Sequence, residues 1–373
     1  MRLITVGKNE IKCFVDFPDQ LYKDDPNYIP YMRASLRKTL YKLLLIEKTY
    51  HALMILSDSG DILGRVLFTM GTNRQLHTDK CGFFSLYECV EDFAVSDFLL
   101  AGMVNMMRKM GAEYVTGTYF PADPDNRRGF LVKGFDRAPV IFTSYNPPYY
   151  NDQMEHFGMK KQIDSLQYRL NIADNQEHYA RLSAMVLRRQ KLHLDHLNRS
   201  NPEQDIVDVQ KVLESATTEL NYQGAPSMEE MRRIFTSWQR FLLDDLIVIV
   251  RKDSDNSPVG FGIAIPDFYQ LFKAANGKMN LRGMWIMATQ RKRINAARAI
   301  MQYAIPEYRK RGIFAVGYSA LQQAFLNHGM EYVEAGTIME NNTDSFSVLE
   351  HVGGELSRVY RIYYKDLREG TDA

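Results

Sequence analysis

Arg309-Lys310-Arg311-Gly312-Ile313 follows the apolar run from Ala296 to Ile305 and precedes a stretch of helical periodicity from Phe314 to Leu326. A strand that ends in a basic, glycine-bearing loop and turns directly into a helix gathers backbone N–H groups and the positive end of the helix dipole at one place. Arg309 and Arg311 add charge-assisted, bidentate donors for phosphoryl oxygens, and Gly312 lets a ligand approach the backbone closely. The segment therefore predicts strand, anion-binding turn and helix within a fold that mixes strands and helices.

Working outward, the plan around this segment occurs twice. Gly111-Ala112-Glu113-Tyr114-Val115 and Gly329-Met330-Glu331-Tyr332-Val333 share four of five residues, and each follows a helical stretch and opens an apolar strand. Upstream, Ile62-Leu63-Gly64 and Pro258-Val259-Gly260 each turn into a strand. The helices between carry Leu99, Met103, Met106 and Met110 in one half and Phe314, Tyr318, Leu321 and Phe325 in the other, both with the spacing of one buried face. Each half then has a polar loop ending in glycine (Gly134; Gly353-Gly354) and a final strand, Lys161 to Leu170 and Glu355 to Tyr364. The junction is expected near Asn171 to Arg181. The second half is longer within Pro266 to Asn295, whose aromatic residues are expected to wrap a cleft or to pack the halves together.

A chain of 373 residues suits two domains, and 45% hydrophobic content is ample for two cores. The formal net charge of +1 gives no overall positive field, so no nucleic-acid partner is expected. The three cysteines, Cys13, Cys81 and Cys89, form no CxxC pair, which argues against a disulfide framework or a zinc site and for a reducing cytoplasm. No leader-like or membrane-spanning apolar run occurs, so no membrane partner is expected. His193-Leu194-Asp195-His196 lies in an alternating stretch, where His193 and Asp195 share a face and His196 points away, so no metal is expected there. Arg291-Lys292-Arg293 reads as a solvated basic run or as a contact for an adenosine 3′-phosphate.

The order of strands, basic glycine loop, helix, strand, asparagine-bearing turn and glycine pair resembles the GNAT superfamily of acyl-CoA-dependent N-acyltransferases, twice over. Phe17-Pro18, Leu21-Tyr22-Lys23-Asp24-Asp25-Pro26, Gly134-Phe135-Asp136 and Tyr145-Asn146-Pro147-Pro148-Tyr149-Tyr150 are similar to a poorly characterised bacterial family of tandem GNAT-like proteins. The resemblance implies an α/β fold with a mixed sheet and two GNAT-like domains, residues 1–172 and 173–373, that move an acyl group from acetyl-CoA or another acyl-CoA to a small-molecule or peptide amine. A homodimer is compatible with it. By resemblance, Arg309, Lys310, Arg311, Gly312 and Ile313 hold the coenzyme diphosphate, and Asn342 orients the cofactor.

Where the superfamily commonly has a proton-donating tyrosine, this chain has Leu349; where it has a second small residue after the glycine, it has Phe314. Tyr318, Ser345 and Ser347 are the nearby hydroxyls, and Glu340 and Glu307 are the carboxylates placed to take a proton from an incoming ammonium group. Aligned without gaps on the shared pentapeptide, Glu91-Asp92 stand opposite Arg309-Lys310, so the first half should repel a diphosphate. Its counterpart of Leu349 is Phe130. This half is therefore read as a degenerate copy that faces the acceptor, with Asn126, Tyr145, Asn146, Tyr149 and Tyr150 as contacts. Two other readings remain: a coenzyme-binding protein without catalysis, and a transferase that takes aminoacyl groups from tRNA.

Overall fold

The computed structural model describes residues 1–119, 127–217, 225–278 and 280–368. The first half runs β1 (Arg2–Thr5), α1 (Ile11–Leu21), α2 (Arg33–Tyr41), β2 (Tyr50–Leu56), β3 (Ile62–Asn73), β4 (Thr78–Cys89), α3 (Phe93–Lys109), β5 (Tyr114–Gly117), β6 (Phe130–Lys133), α4 (Tyr149–His156) and β7 (Lys160–Asn171). The second runs α5 (Gln176–Gln190), β8 (Leu192–His196), α6 (Pro202–Thr217), α7 (Met228–Trp238), β9 (Ile247–Lys252), β10 (Pro258–Pro266), α8 (Tyr269–Ala274), α9 (Leu281–Thr289), β11 (Ala296–Ala304), α10 (Ile313–Asn327), β12 (Tyr332–Met339), α11 (Thr343–His351) and β13 (Glu355–Asp366). The extra length of the second half is α8 and α9, set between β10 and β11 where the first half has a tight β3–β4 connection.

All the strands belong to one sheet, in the order β1-β2-β3-β4-β5-β13-β7-β12-β11-β10-β9-β8, with β6 alongside β13. The halves exchange their last strands. β13, the end of the chain, lies antiparallel to β5 of the first half, and β7 lies antiparallel to β12 of the second. A cut at residues 172 and 173 would thus leave each half beside a strand that the other supplies, and β7 and β13 pair with each other along most of their length.

In each half one parallel pairing is short. β4 meets β5 only over Cys81–Phe84 against Tyr114–Gly117, and β11 meets β12 only over Ala296–Ala299 against Tyr332–Ala335. Both β4 and β11 run on past that pairing while remaining bonded to β3 and β10. The result is a splayed slot in each half, closed at its mouth by the start of α3 or α10. Gly64 and Gly260 let those helices lie close: a Cβ on Gly64 would meet Leu99 Cδ2 at 3.1 Å, and one on Gly260 would meet Ile313 Cγ2 at 2.8 Å.

The core-facing side of α3 is Leu99, Leu100, Met103, Val104 and Met107. The expected stripe through Met106 and Met110 is displaced because Gly111, at φ +92°, ends the helix there, leaving Met110 as the cap and 38% exposed. On α10 Leu321 and Phe325 are buried as expected, whereas Phe314 and Tyr318 are only partly covered and stack on each other with ring centroids 5.8 Å apart.

Candidate functional site

The strand registers fix how the halves correspond. Gly64 pairs with Cys89 and Gly260 with Ala304, so Cys89 and Ala304 are equivalent. Three residues, 90–92, then lead to α3, whereas eight, 305–312, lead to α10. The ungapped alignment is corrected here: the long basic loop is an addition to the second half, and by helix capping Asp92 stands opposite Gly312.

The loop begins as a single 3-10 turn, Pro306–Tyr308, which carries the exposed Glu307. Lys310 and Gly312 adopt left-handed backbone conformations, φ +59° and +85°, and Gly312 caps α10 without any side-chain hydrogen bond to the first turn. The free N–H groups of that turn and the helix dipole face the slot mouth together. A Cβ on Gly312 would lie 2.7 Å from Val186 Cγ2 of α5, so packing and conformation both select glycine. Arg309 Nη2 donates to Ala216 O at the end of α6, 2.7 Å away, which fixes its guanidinium across the loop. Arg311 lies over the Tyr308 ring at 5.7 Å, its carbonyl held by Gln190. Lys310 reaches Asp344 at 3.6 Å, with both side chains more than 80% exposed, a contact of little energetic weight.

On the far side of the slot, Asn342 caps α11: its side chain accepts from Ser345 N at 3.3 Å. Ser345 and Ser347 are exposed on the first turns of that helix, and Leu349 is buried beneath. Glu340 is engaged, taking Lys161 Nζ at 2.7 Å and Asp164 N at 3.0 Å, so it clasps β7 to the end of β12. Tyr318 packs edge-on against Tyr179, and burial pushes its hydroxyl up to about 12, which keeps it a proton donor at neutral pH.

The first-half slot is filled by its own side chains. Asp92 Oδ1 accepts from Ala94 N at 2.8 Å and Val95 N at 3.2 Å, so a carboxylate already occupies the helix terminus. Tyr150, fully buried on α4, accepts from Cys89 N at 2.9 Å and donates to Glu88 at 2.8 Å; Tyr149 donates to Cys89 O at 2.8 Å, and Gln153 to Val90 O at 2.7 Å. The end of β4 is thereby paired at Cys89, and Tyr87, Phe130 and Tyr150 pack edge to face around it. No described side chain does the same for Ala304 N: α11 offers Thr343 and Asp344 where α4 offers Tyr149 and Tyr150.

The residues expected to face an acceptor mostly brace the fold. Asn146 is buried, accepting from Leu131 N at 2.6 Å and donating to Pro147 O at 2.8 Å. Tyr145 donates to Asp25 at 2.7 Å, and burial raises its hydroxyl well above the ordinary tyrosine range. Asn126 lies outside the described residues. Sequence reading missed the group beneath Tyr150: Glu88, raised by burial, also takes Tyr22 OH at 2.6 Å and Arg65 at 3.4 Å, with Arg65 fully buried. Tyr22 and Asp25 belong to the Leu21–Pro26 motif, so that motif ties α1 to the filled slot.

His193 and Asp195 do share a face and approach each other to 4.0 Å, and each has a nearer partner, Asp253 at 2.8 Å and Arg251 at 2.7 Å. Among the described residues no three metal-binding side chains converge. No helix among them is long and apolar enough to cross a membrane.

No protein-family profile matches the chain. It is 25% identical to protein YghO of Escherichia coli over 372 residues, 97% of this chain and 94% of that one. It is 22% identical over 377 residues to a bacterial ceramide synthase of Caulobacter vibrioides, 96% and 95% of the two chains. Among solved structures, a tandem GNAT protein from the clavulanic acid biosynthesis pathway superposes with a TM-score of 0.57 at 12% identity, covering 98% of each chain. A GCN5-related N-acetyltransferase from Sphaerobacter thermophilus gives 0.53 at 10%, covering 100% and 98%. The fold is thus the GNAT fold in tandem, as the sequence resemblance implies.

Proposed function

We propose that the protein is an acyl-CoA-dependent N-acyltransferase whose second half binds the coenzyme and whose first half serves as scaffold. The observation that carries this is the contrast between the slots: the α10 terminus at Gly312 has no side-chain cap and Ala304 N takes no described side chain, whereas Cys89 N and the α3 terminus are occupied by Tyr150 and Asp92. Arg309, Lys310, Arg311, Gly312 and Ile313 would hold the diphosphate, with Asn342 fixing the opposite wall. The thioester would lie along the unpaired edge of β11, where a backbone N–H can polarise its carbonyl for direct attack by an amine.

Glu307 is the exposed carboxylate at the slot mouth and takes the ammonium proton in this reading; Glu340 is the alternative if its clasp with Lys161 opens. Tyr318, protonated at neutral pH, or Ser345 returns a proton to the leaving thiolate. An amine is the acceptor class. A ceramide is the N-acyl amide of a long-chain amino alcohol, so the name of the Caulobacter relative directs the first acceptor panel to such compounds.

Thiol release from acetyl-CoA and long-chain acyl-CoAs, followed with and without a panel of amino alcohols, polyamines and peptides, tests the reading. Amine-dependent multiple turnover is expected. Buried Leu349 favours a second reading, a coenzyme-binding protein without transfer; calorimetric binding of acyl-CoA with no turnover on any amine would establish it.

A further inference from the structure

The helix α9 carries its apolar stripe on the wrong side for a core. Leu281, Met284, Trp285 and Ala288 recur at the spacing of one helical face, and all four are exposed, Leu281 at 84%, Trp285 at 59% and Met284 at 48%. The opposite face, Gly283 and Ile286, is the one that packs inward, joining the apolar cluster that also takes in Ile300, Met301 and Tyr303 of β11. Along the chain, the segment that carries the stripe has one sign of charge. From Phe268 to Pro306 the sequence has no aspartate or glutamate, whereas Lys273, Lys278, Arg282, Arg291, Lys292 and Arg293 are all exposed. In a chain whose net charge is only +1, this is a strong local concentration.

An exposed stripe with a tryptophan, set in a run of lysine and arginine that itself holds no acidic residue, has the chemistry of an interfacial helix: the apolar side chains enter the acyl boundary and the cations meet anionic headgroups. An RNA would meet the same cations but gain nothing from Leu281 and Met284. We infer that α9, with the basic turn Arg291–Arg293, docks the protein on an anionic lipid surface. This is a surface contact and needs no membrane-spanning helix. It stands independently of acyl transfer, since it concerns residues at the opposite end of β11 from the Arg309 loop.

The test uses the full chain and vesicles of phosphatidylglycerol mixed with phosphatidylcholine, against vesicles of phosphatidylcholine alone. Co-sedimentation is expected with the anionic vesicles and should weaken as salt is raised. Leu281→Glu with Trp285→Glu should reduce it by more than about a hundredfold, and Arg291→Glu with Arg293→Glu by roughly thirtyfold or more. Leu281 and Trp285 are exposed, so in the Leu281/Trp285 variant melting temperature and calorimetric binding of acyl-CoA should not change, which separates failure of docking from failure of the catalytic reading. Trp238 is the other tryptophan and is buried; in a Trp238→Phe protein the emission of Trp285 should shift to shorter wavelength on anionic vesicles. The inference is overturned if the native protein ignores anionic vesicles, or if the Leu281/Trp285 variant binds them as well as the native chain. It is equally overturned if Trp285 emission shifts on raising protein concentration alone with a dimeric mass by light scattering, which would assign the stripe to a second copy of the chain.

Discussion

The two halves start a helix at the same point of the same plan and finish its terminus in opposite ways. At α3 the chain supplies its own anion, Asp92, and its own edge partner, Tyr150. At α10 it supplies a left-handed glycine, three cations and a loop five residues longer. An N-terminus capped by a side chain gains stability, about 1 kcal/mol, and loses its capacity for a ligand; one capped by glycine keeps that capacity. In the proposed reading the first half is then a wall and the second a site, and the exchange of β7 and β13 joins the two.

The sharpest way to break this comparison is to reverse the loop charge. Arg309→Glu with Arg311→Glu should lower acyl-CoA affinity by more than about a hundredfold, since each charge-assisted bond to a phosphoryl oxygen contributes roughly 1.5–3 kcal/mol. Because Arg309 also holds Ala216 O, Arg311→Glu alone is the control, with thermal unfolding measured beside calorimetry. The mirror change, Glu91→Arg with Asp92→Gly, should create no second site, because Tyr150 still occupies Cys89 N. A second binding equivalent in that variant would show that the plug is irrelevant.

Next in size is a difference of protonation. Each half ends its third strand in a buried Asx that accepts two backbone N–H groups: Asn73 takes Gln75 N and Leu76 N at 3.0 and 3.1 Å, and Asp267 takes Ile141 N and Tyr269 N at 2.8 and 3.2 Å. Asn73 is neutral at any pH, whereas burial raises Asp267 from 3.8 to about 7. A carboxyl whose folded pKa is raised stabilises the fold when protonated, so its contribution is full below about pH 4 and is lost as pH rises through about 7. Asp267→Asn should therefore gain on the native chain between pH 4 and pH 8, by up to about 4 kcal/mol at 1.36 kcal/mol per unit. Denaturant unfolding of both proteins at several pH values measures it, and the buried Glu88, present in both, cancels. Parallel curves would mean that Asp267 ionises freely.

The plug comes third. Tyr150→Phe leaves Cys89 N without its partner and removes one donor from Glu88, at a cost of about 1–3 kcal/mol in unfolding free energy. Asp344→Ala at the matching helix position, an exposed residue paired only across 3.6 Å to Lys310, should stay within about 0.5 kcal/mol of the native chain. Equal costs would remove the distinction between a filled slot and an open one.

The repeat, the strand and helix order and the loop were legible because they depend on local pattern: Ala296–Ile305, Gly312 and the shared pentapeptide each carry their own signal. Strand exchange was not, since β7 and β13 have the same alternating character and nothing in either sequence says which neighbour it will meet. The gap before Gly312 was hidden for a similar reason; the pentapeptide anchors only the C-terminal end of each helix, while strand register sets the other. Sequence alone does not tell an acceptor contact from a brace in Tyr145–Tyr150, because an aromatic hydroxyl reads the same whether it meets a ligand or, as Tyr150 does, Glu88 and Cys89 N. Glu88 and Arg65, far apart in sequence and each ordinary alone, become a network only through the pairing of β3 with β4.

The smallest expected effect is the most discriminating. Asp92→Ala removes a cap that satisfies Ala94 N and Val95 N and should cost about 1 kcal/mol of stability, a shift of a few degrees in melting temperature. Gly312→Ala should cost about as much through left-handed strain and contact with Val186. In stability the two variants are then alike, but in binding they should part: Asp92→Ala should leave acyl-CoA affinity unchanged, and Gly312→Ala should weaken it because the first-turn N–H groups shift with the loop. If both variants weaken the coenzyme equally, the helix termini act through global stability, and the assignment of one terminus to the wall and the other to the site falls.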